Sequence, residues 1–343
     1  MKTKALPLLF SLFVLAIACT NAESPREVSA TAVASKNHLS LIPMESNFVL
    51  YANFESMRQT PFGREFSSVL EERADVDWDD DDYLDFLEAT GFDAKEDIYE
   101  IWVSSTGKKE RSDYDNFSGA IIRGRFDRKK INEYVRSERR YRMKKESYAG
   151  YTVYQLDRDH NEEFVYTFLN AETVVLGNGD WLRSVLDLSN NKGSNIFNNP
   201  ILSDHIRNIP HKEHIWGVLN VDEFKDRWTK EIRSHSSGFK GSESLENMKT
   251  FIFYSYLDRK ADVNLLGIFG RDQEAELFAD MLNGFKAMAK LMVSDDREAI
   301  DMLNEIRVKS NGNTIKVSGS LDQDFLDKIE ERSRNFSGRE FKL

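Results

Sequence analysis

Thirteen residues near the start of the chain recur near its middle, and this repetition constrains the architecture more than any other feature. Ile42-Pro43-Met44-Glu45-Ser46-Asn47-Phe48-Val49-Leu50-Tyr51-Ala52-Asn53-Phe54 lines up with Ile209-Pro210-His211-Lys212-Glu213-His214-Ile215-Trp216-Gly217-Val218-Leu219-Asn220-Val221. Ile42 matches Ile209 and Asn53 matches Asn220, an offset of 167 in both cases. Each copy is an Ile-Pro turn, a β-rich run and an asparagine just ahead of a helix beginning at Glu55 or Asp222. Residues 119–127 correspond in kind to 264–272. Both are strands whose closing aspartate, Asp127 or Asp272, can cap the helix that follows.

Periodicity fills in the rest. The first half reads as strand 47–54, helices 60–73 and 83–90, strands 97–105 and 117–126, helix 128–138, strands 151–157, 163–170 and 173–177, and helix 180–189. The second half reads as strand 214–221, helix 222–235, strands 249–257 and 262–270, helix 272–293, strands 304–310 and 313–319, and helix 321–333. Thr314-Ile315-Lys316-Val317-Ser318 alternates at period two, as a strand does, and Leu277, Met281, Phe285, Met288 and Met292 form an apolar stripe at helical steps. Hairpin-ordered strands with helices on one face make an α+β fold of two tandem repeats, 38–195 and 196–343, each built on a mainly antiparallel sheet.

Composition suits such a body. The chain has 343 residues, 40% of them hydrophobic, enough for a packed core and far from the pattern of a disordered protein. After the first twenty residues no apolar run approaches the ~18–20 residues of a membrane span. The single cysteine cannot form an internal disulfide.

That cysteine marks the compartment instead. Lys2 and Lys4 form a charged n-region, and residues 6–17 carry no charge, as in an export signal too short to span a bilayer. Leu15-Ala16-Ile17-Ala18-Cys19 resembles the bacterial lipobox, with Ala16 standing where leucine is commonest. The resemblance implies removal of residues 1–18 and acylation of Cys19. Several acyl chains, each worth about 0.8 kcal/mol per buried CH₂, then hold the protein stably on a bilayer. Thr20 follows in place of aspartate, which by the same analogy implies the outer membrane, facing the periplasm or the surface. Residues 19–37 are small, polar and free of aromatics, as a flexible tether is. The alternative is an ordinary secretory signal cut near Asn21-Ala22, leaving a soluble protein.

Several segments could carry chemistry. Counted from Asp77, the acidic run places oxygens at positions 1, 3, 5, 9 and 12 of a calcium loop, through Asp77, Asp79, Asp81, Asp85 and Glu88. Position 6, where such a loop needs glycine, is Asp82. The competing reading is an acidic helix start that complements the macrodipole. Residues 123–145 hold eleven basic side chains. Among them Arg136, Arg139, Arg140, Arg142, Lys144 and Lys145 could meet anionic headgroups or polysaccharide, or simply form a solvated face. Nucleic acid is not expected for an exported chain with 58 acidic and 47 basic residues. His205, His211 and His214 cluster around Glu213, without the i, i+4 helical spacing of a zinc pair. Gly177-Asn178-Gly179-Asp180 reads as a turn with Asp180 as helix cap rather than as a phosphate loop. There is no Gly-x-Ser-x-Gly, Ser-x-x-Lys or His-Glu-x-x-His motif.

Leu41-Ile42-Pro43, Phe48-Val49-Leu50, Asn53-Phe54, Thr90-Gly91-Phe92-Asp93, Gly124-Arg125-Phe126-Asp127, Gly150-Tyr151-Thr152-Val153-Tyr154 and Val174-Val175-Leu176-Gly177 together resemble a diffuse group of uncharacterised bacterial exported proteins and lipoproteins. The resemblance spans residues 38–225 and implies fold and compartment, with no activity to carry over. The expectation is a lipid-anchored envelope protein acting as a binding or scaffolding module, with no cofactor unless calcium, and with the membrane and an envelope protein or polysaccharide as partners. The alternatives are a hydrolase with a carboxylate or metal site between the repeats, and calcium-dependent adhesion. A scaffold should expose an apolar or aromatic patch, and a hydrolase should converge polar groups in one deep pocket.

Overall fold

The computed structural model describes residues 38–64, 81–107, 117–138, 142–158, 162–210, 212–224 and 247–322. The export signal, Cys19 and the tether lie outside them. The elements in chain order are β1 (Phe48–Asn53), α1 (Phe54–Arg58), α2 (Asp81–Thr90), α3 (Ala94–Asp97), β2 (Ile98–Ser105), β3 (Ser118–Gly124), α4 (Arg128–Ser137), β4 (Arg142–Tyr148), β5 (Tyr151–Arg158), β6 (Glu162–Asn170), β7 (Thr173–Gly177), α5 (Gly179–Ser189), α6 (Ser203–Asn208), β8 (Ile215–Asn220), β9 (Met248–Leu257), β10 (Ala261–Phe269), α7 (Asp272–Met292), α8 (Arg297–Glu305), β11 (Arg307–Asn311) and β12 (Thr314–Leu321).

The strands form one antiparallel sheet of twelve, in the order β11-β12-β10-β9-β8-β1-β2-β3-β7-β6-β5-β4. The expectation of a separate sheet for each half is thereby corrected, because the two recurring segments pair directly as β1 and β8 at the middle of a continuous sheet. In that pair Leu50 stands opposite Gly217, the residue that matches it at the offset of 167. A strand run buried on both faces, as in β1, needs partners on both edges.

Helices cover both faces rather than one. On the first face Val49, Tyr51, Trp102, Ile121, Val175, Trp216 and Val218 pack under Trp181, Leu182, Val185 and Leu186 of α5 and under Leu202 and Ile206. On the second face Ala52, Ile101, Ala120, Ile122 and Leu176 pack under Phe54, Met57 and Phe92. The second face continues under α7, where Ala275, Phe278 and Ala279 meet Met248, Phe269 and Ile315. Both faces must be covered because Val49 to Asn53 are all buried, alternating between them.

Close approach fixes α5 against the sheet. Gly119 and Gly177 are cross-strand neighbours, and together they form a slot for the Trp181 indole. A Cβ on Gly119 would lie 2.2 Å from Trp181 Cε3. The indole N–H donates to Ser104 Oγ at 2.9 Å, so this fully buried ring is satisfied as well as packed. Asn178, not Asp180, caps α5, its Oδ1 accepting from the Trp181 N–H.

The remaining differences have local causes. Arg142–Tyr148 is a strand although almost wholly polar, because it sits at the sheet edge with little to bury. α8 occupies part of what reads as loop and strand around 297–305. Val221–Glu223 is a single 3-10 turn where a helix from 222 is expected, and residues 225–235 of that helix lie outside the described residues. So do 65–73 and 323–333 of the two other expected helices.

Candidate functional site

α7 forms where the sequence supplies both ends of a helix. Asp272 and Glu274 complement the macrodipole at its start. Glu274 accepts from the Arg271 backbone N–H at 3.2 Å and from the Arg271 guanidinium at 2.6 Å. The hydrogen bond from Arg271 holds this partly buried carboxyl below its ordinary range. At the far end the Val293 N–H closes on Ala289 O. Lys286 donates to Ile306 O and Lys290 to Asn304 Oδ1, tying the second half of α7 to the C-terminal end of α8. Burial, with Lys290 nearby, lowers the Lys286 pKa.

Two apolar stripes run along this helix, one packed against the sheet and the other largely exposed. Ala275, Phe278, Ala279 and Leu282 face the sheet. The other stripe is the one that periodicity singles out; Met281 within it packs against the same core, and the rest of it is exposed. Leu277 is 58% exposed, Met288 52%, Leu291 76% and Met292 81%. Gly284 lies on the same side, and a Cβ there would have nothing within 4 Å. Glycine in a helix interior is about 1 kcal/mol less favourable than alanine, and no contact among the described residues accounts for it. A contiguous apolar face on an otherwise charged helix is the mark of an interaction surface. Among the described residues no helix is long and apolar enough to cross a membrane.

The other expected sites fall as follows. Asp77 and Asp79 lie outside the described residues. Asp81, Asp85 and Glu88 are on α2, where residues 81–88 are helical instead of turning as a calcium loop does; Asp85 and Glu88 are exposed. Arg139 and Arg140 also lie outside the described residues. Arg136 is on α4, whereas Arg142, Lys144 and Lys145 are exposed on the edge strand β4. Alternation sends Arg142 and Lys144 to one face of the sheet and Lys145 to the other, where its ammonium sits 5.2 Å from the centre of the Tyr154 ring. Among the described residues, Arg142 and Lys144 are therefore parted from Lys145 by the sheet edge.

The two described histidines of the cluster lie on different elements. His205 is on α6, its pKa lowered by burial, and His211 lies outside the described residues. His214 is buried at the head of β8. Its Nδ1 accepts from the Leu257 N–H at 2.9 Å, and its ring stacks on Tyr256 at 4.9 Å, so this nitrogen is engaged within the fold. Burial lowers its pKa to about 4. Beside it, Glu213 Oε2 is buried without a hydrogen-bond partner among the described residues, and burial raises this carboxyl. The described residues hold no group of three or more metal-ligating side chains.

One polar network escapes sequence reading. The Glu100 carboxylate is fully buried, accepting from Tyr51 OH at 2.6 Å and from Arg123 Nε at 2.5 Å. The same guanidinium donates to Glu55 at 2.8 Å. Burial acts to lower the Arg123 pKa, but Glu100 and Glu55 outweigh it and raise it. Glu100 and Arg123 are cross-strand neighbours in β2 and β3, a register that nothing in the linear sequence specifies. Both carboxylates are held by one guanidinium, which is the arrangement of a structural ion pair.

The fold is thus an α+β protein on a large antiparallel sheet. Among solved structures, the protein TP0453 in its crystal form IV is similar at a TM-score of 0.45 and 10% identity, over 85% of this chain and 95% of that one. No protein-family model and no curated protein matches the chain.

Proposed function

We propose that the chain is a bacterial envelope protein, lipid-anchored through Cys19 and carried on the tether 19–37, whose body is a binding module with α7 as its docking surface. The exposed part of the stripe from Leu277 to Met292 carries this reading, because that much exposed apolar surface lowers solubility unless a partner covers it. Its chemistry favours a protein partner over a polysaccharide. The engagement of Glu55 and Glu100 by Arg123 supports binding over acid–base catalysis. The body itself reads as two repeats meeting at the β1–β8 pair. The placement of Leu50 against Gly217 supports this, since a two-fold relation through that pair maps each recurring segment onto the other.

Photo-crosslinking in the intact envelope tests the binding reading. A photoreactive residue at Met288 should give discrete adducts, while the same probe at exposed Glu88 gives none; absence of adducts from Met288 would remove the docking surface. The anchor is tested separately by mass spectrometry of the mature N-terminus, where an unmodified residue, or one other than Cys19, would refute lipidation.

A further inference from the structure

We propose that β4, the outermost strand at the end of the sheet away from α7, takes up an extended acidic peptide of a partner protein as an added strand. Arg142–Tyr148 pair with β5 in one unbroken register, and among the described residues no strand lies along their other side. The hairpin turn fixes which backbone groups are on that open side. Ala149 and Gly150, at φ 52° and 89°, form a two-residue turn between Tyr148 and Tyr151, so these two tyrosines exchange both of their backbone hydrogen bonds. Alternation then commits Glu146, Lys144 and Arg142 to β5 and turns the N–H and C=O groups of Ser147, Lys145 and Met143 outward. Arg142, Lys144, Lys145, Glu146 and Ser147 are all exposed, as residues of an uncovered edge are. The opposite edge, β11, is shorter and turns two residues outward, Val308 and Ser310.

The side chains decide what fits. Arg142 and Lys144 stand on one face of the sheet and Lys145 on the other. Glu146, the acid among them, is held by Arg183 at 3.2 Å. Lys145 stays exposed although its ammonium sits 5.2 Å from the centre of the Tyr154 ring. A flat anionic surface such as a bilayer meets the cations of one face only. An extended chain laid along the edge sends its own side chains to both faces in turn, so it can set a carboxylate opposite each of these cations. A second copy of β4 brings cations against cations and is repelled, the ordinary way in which charges guard a sheet edge. Main-chain bonds to Met143, Lys145 and Ser147 supply the affinity, and the alternating acids supply the specificity. This surface lies apart from α7, which packs against β10, β11 and β12.

The peptide acetyl-Val-Thr-Thr-Glu-Glu-Val-Glu-amide, laid antiparallel with its first residue opposite Tyr148, puts its acids opposite Lys145, Lys144 and Arg142. Titrated into the full chain it should bind. Amide exchange followed by NMR should then slow about tenfold or more at Met143, Lys145 and Ser147, while Arg142, Lys144 and Glu146, already bonded to β5, stay as they were. The same peptide with lysine for each glutamate, or N-methylated at its second, fourth and sixth residues, should not bind. Lys145→Glu should weaken binding about tenfold or more, with the far-UV spectrum unchanged, and a peptide carrying lysine as its fourth residue should restore it. Arg142→Glu with lysine as the seventh residue repeats this exchange where the first variant fails to fold. The proposal is overturned if the acidic peptide does not bind, if its N-methylated form binds as well, or if the amides of Met143, Lys145 and Ser147 exchange as before. It is equally overturned if those amides are protected in the free chain to an extent that rises with protein concentration, which marks a second copy on β4. Binding of phosphatidylglycerol vesicles through Lys145 without binding of the peptide overturns it too, in favour of an anionic surface. Crosslinking from Met288 reads α7 alone, so the failure of either surface is distinguishable from that of the other.

Discussion

Acid sensitivity from His214 follows directly from its burial. The ring is 5% exposed, and its Nδ1 accepts from the Leu257 backbone N–H, so the neutral form must carry its proton on Nε2. Protonating Nδ1 would break that bond and set two donors against each other. Burial lowers the pKa from 6.5 to about 4, with Asp258 opposing the shift. The unfolded chain therefore binds a proton near pH 6.5 that the folded chain refuses until about pH 4. The associated stability is fully present above pH 6.5 and is lost as pH falls through this window. At 1.36 kcal/mol per unit, the loss reaches about 2–3 kcal/mol by pH 4.5, a large share of the ~5–15 kcal/mol by which proteins are stable. His214→Asn retains an acceptor where Nδ1 sits and removes the titration. Urea unfolding of both proteins at pH 7.5 and 4.5, at constant ionic strength, isolates the effect, since every other group titrates in both. The variant should lose about 2–3 kcal/mol less than the parent on acidification. Equal losses, or a His214 ring resonance titrating near pH 6.5, would refute the reasoning.

Neighbouring Glu213 has the opposite sign. Its raised carboxyl pKa means that stability is highest below the usual carboxylate range and declines as pH rises, so Glu213→Gln should stabilise by about 1–3 kcal/mol at pH 7 in urea titrations, with the gain gone at pH 4. Arg123→Leu strands the fully buried Glu100 and should cost about 3–5 kcal/mol, read from the denaturation midpoint. Gly119→Ala drives a methyl into the Trp181 slot and should cost about 1–3 kcal/mol, with a shift in tryptophan emission as its signature. Leu291→Glu, by contrast, should leave unfolding unchanged to within about 0.5 kcal/mol, because that side chain is exposed and lies outside the core.

Much of this protein is legible without coordinates. The recurrence of 42–54 at 209–221 names the two strands that meet at the sheet centre, and Asp127 caps α4 as its position implies, accepting from the Lys129 and Lys130 N–H groups at 3.1 Å. The edge strand β4 is not legible, because Arg142-Met143-Lys144-Lys145-Glu146-Ser147-Tyr148 lacks the apolar alternation that a half-buried strand needs. The Glu100–Arg123 pair is equally hidden, since register across a sheet joins residues whose spacing in sequence carries no period.

α7 shows where the division falls. Its apolar stripe, Leu277 to Met292, could be read from helical spacing alone, and the helix forms where that spacing places it. Helical periodicity determines which residues share a face, because it follows from the backbone. It does not determine what lies opposite that face. Only the packing of Ala275, Phe278 and Ala279 onto the sheet turned most of the larger stripe outward, and so made a surface of what the spacing alone presents as core.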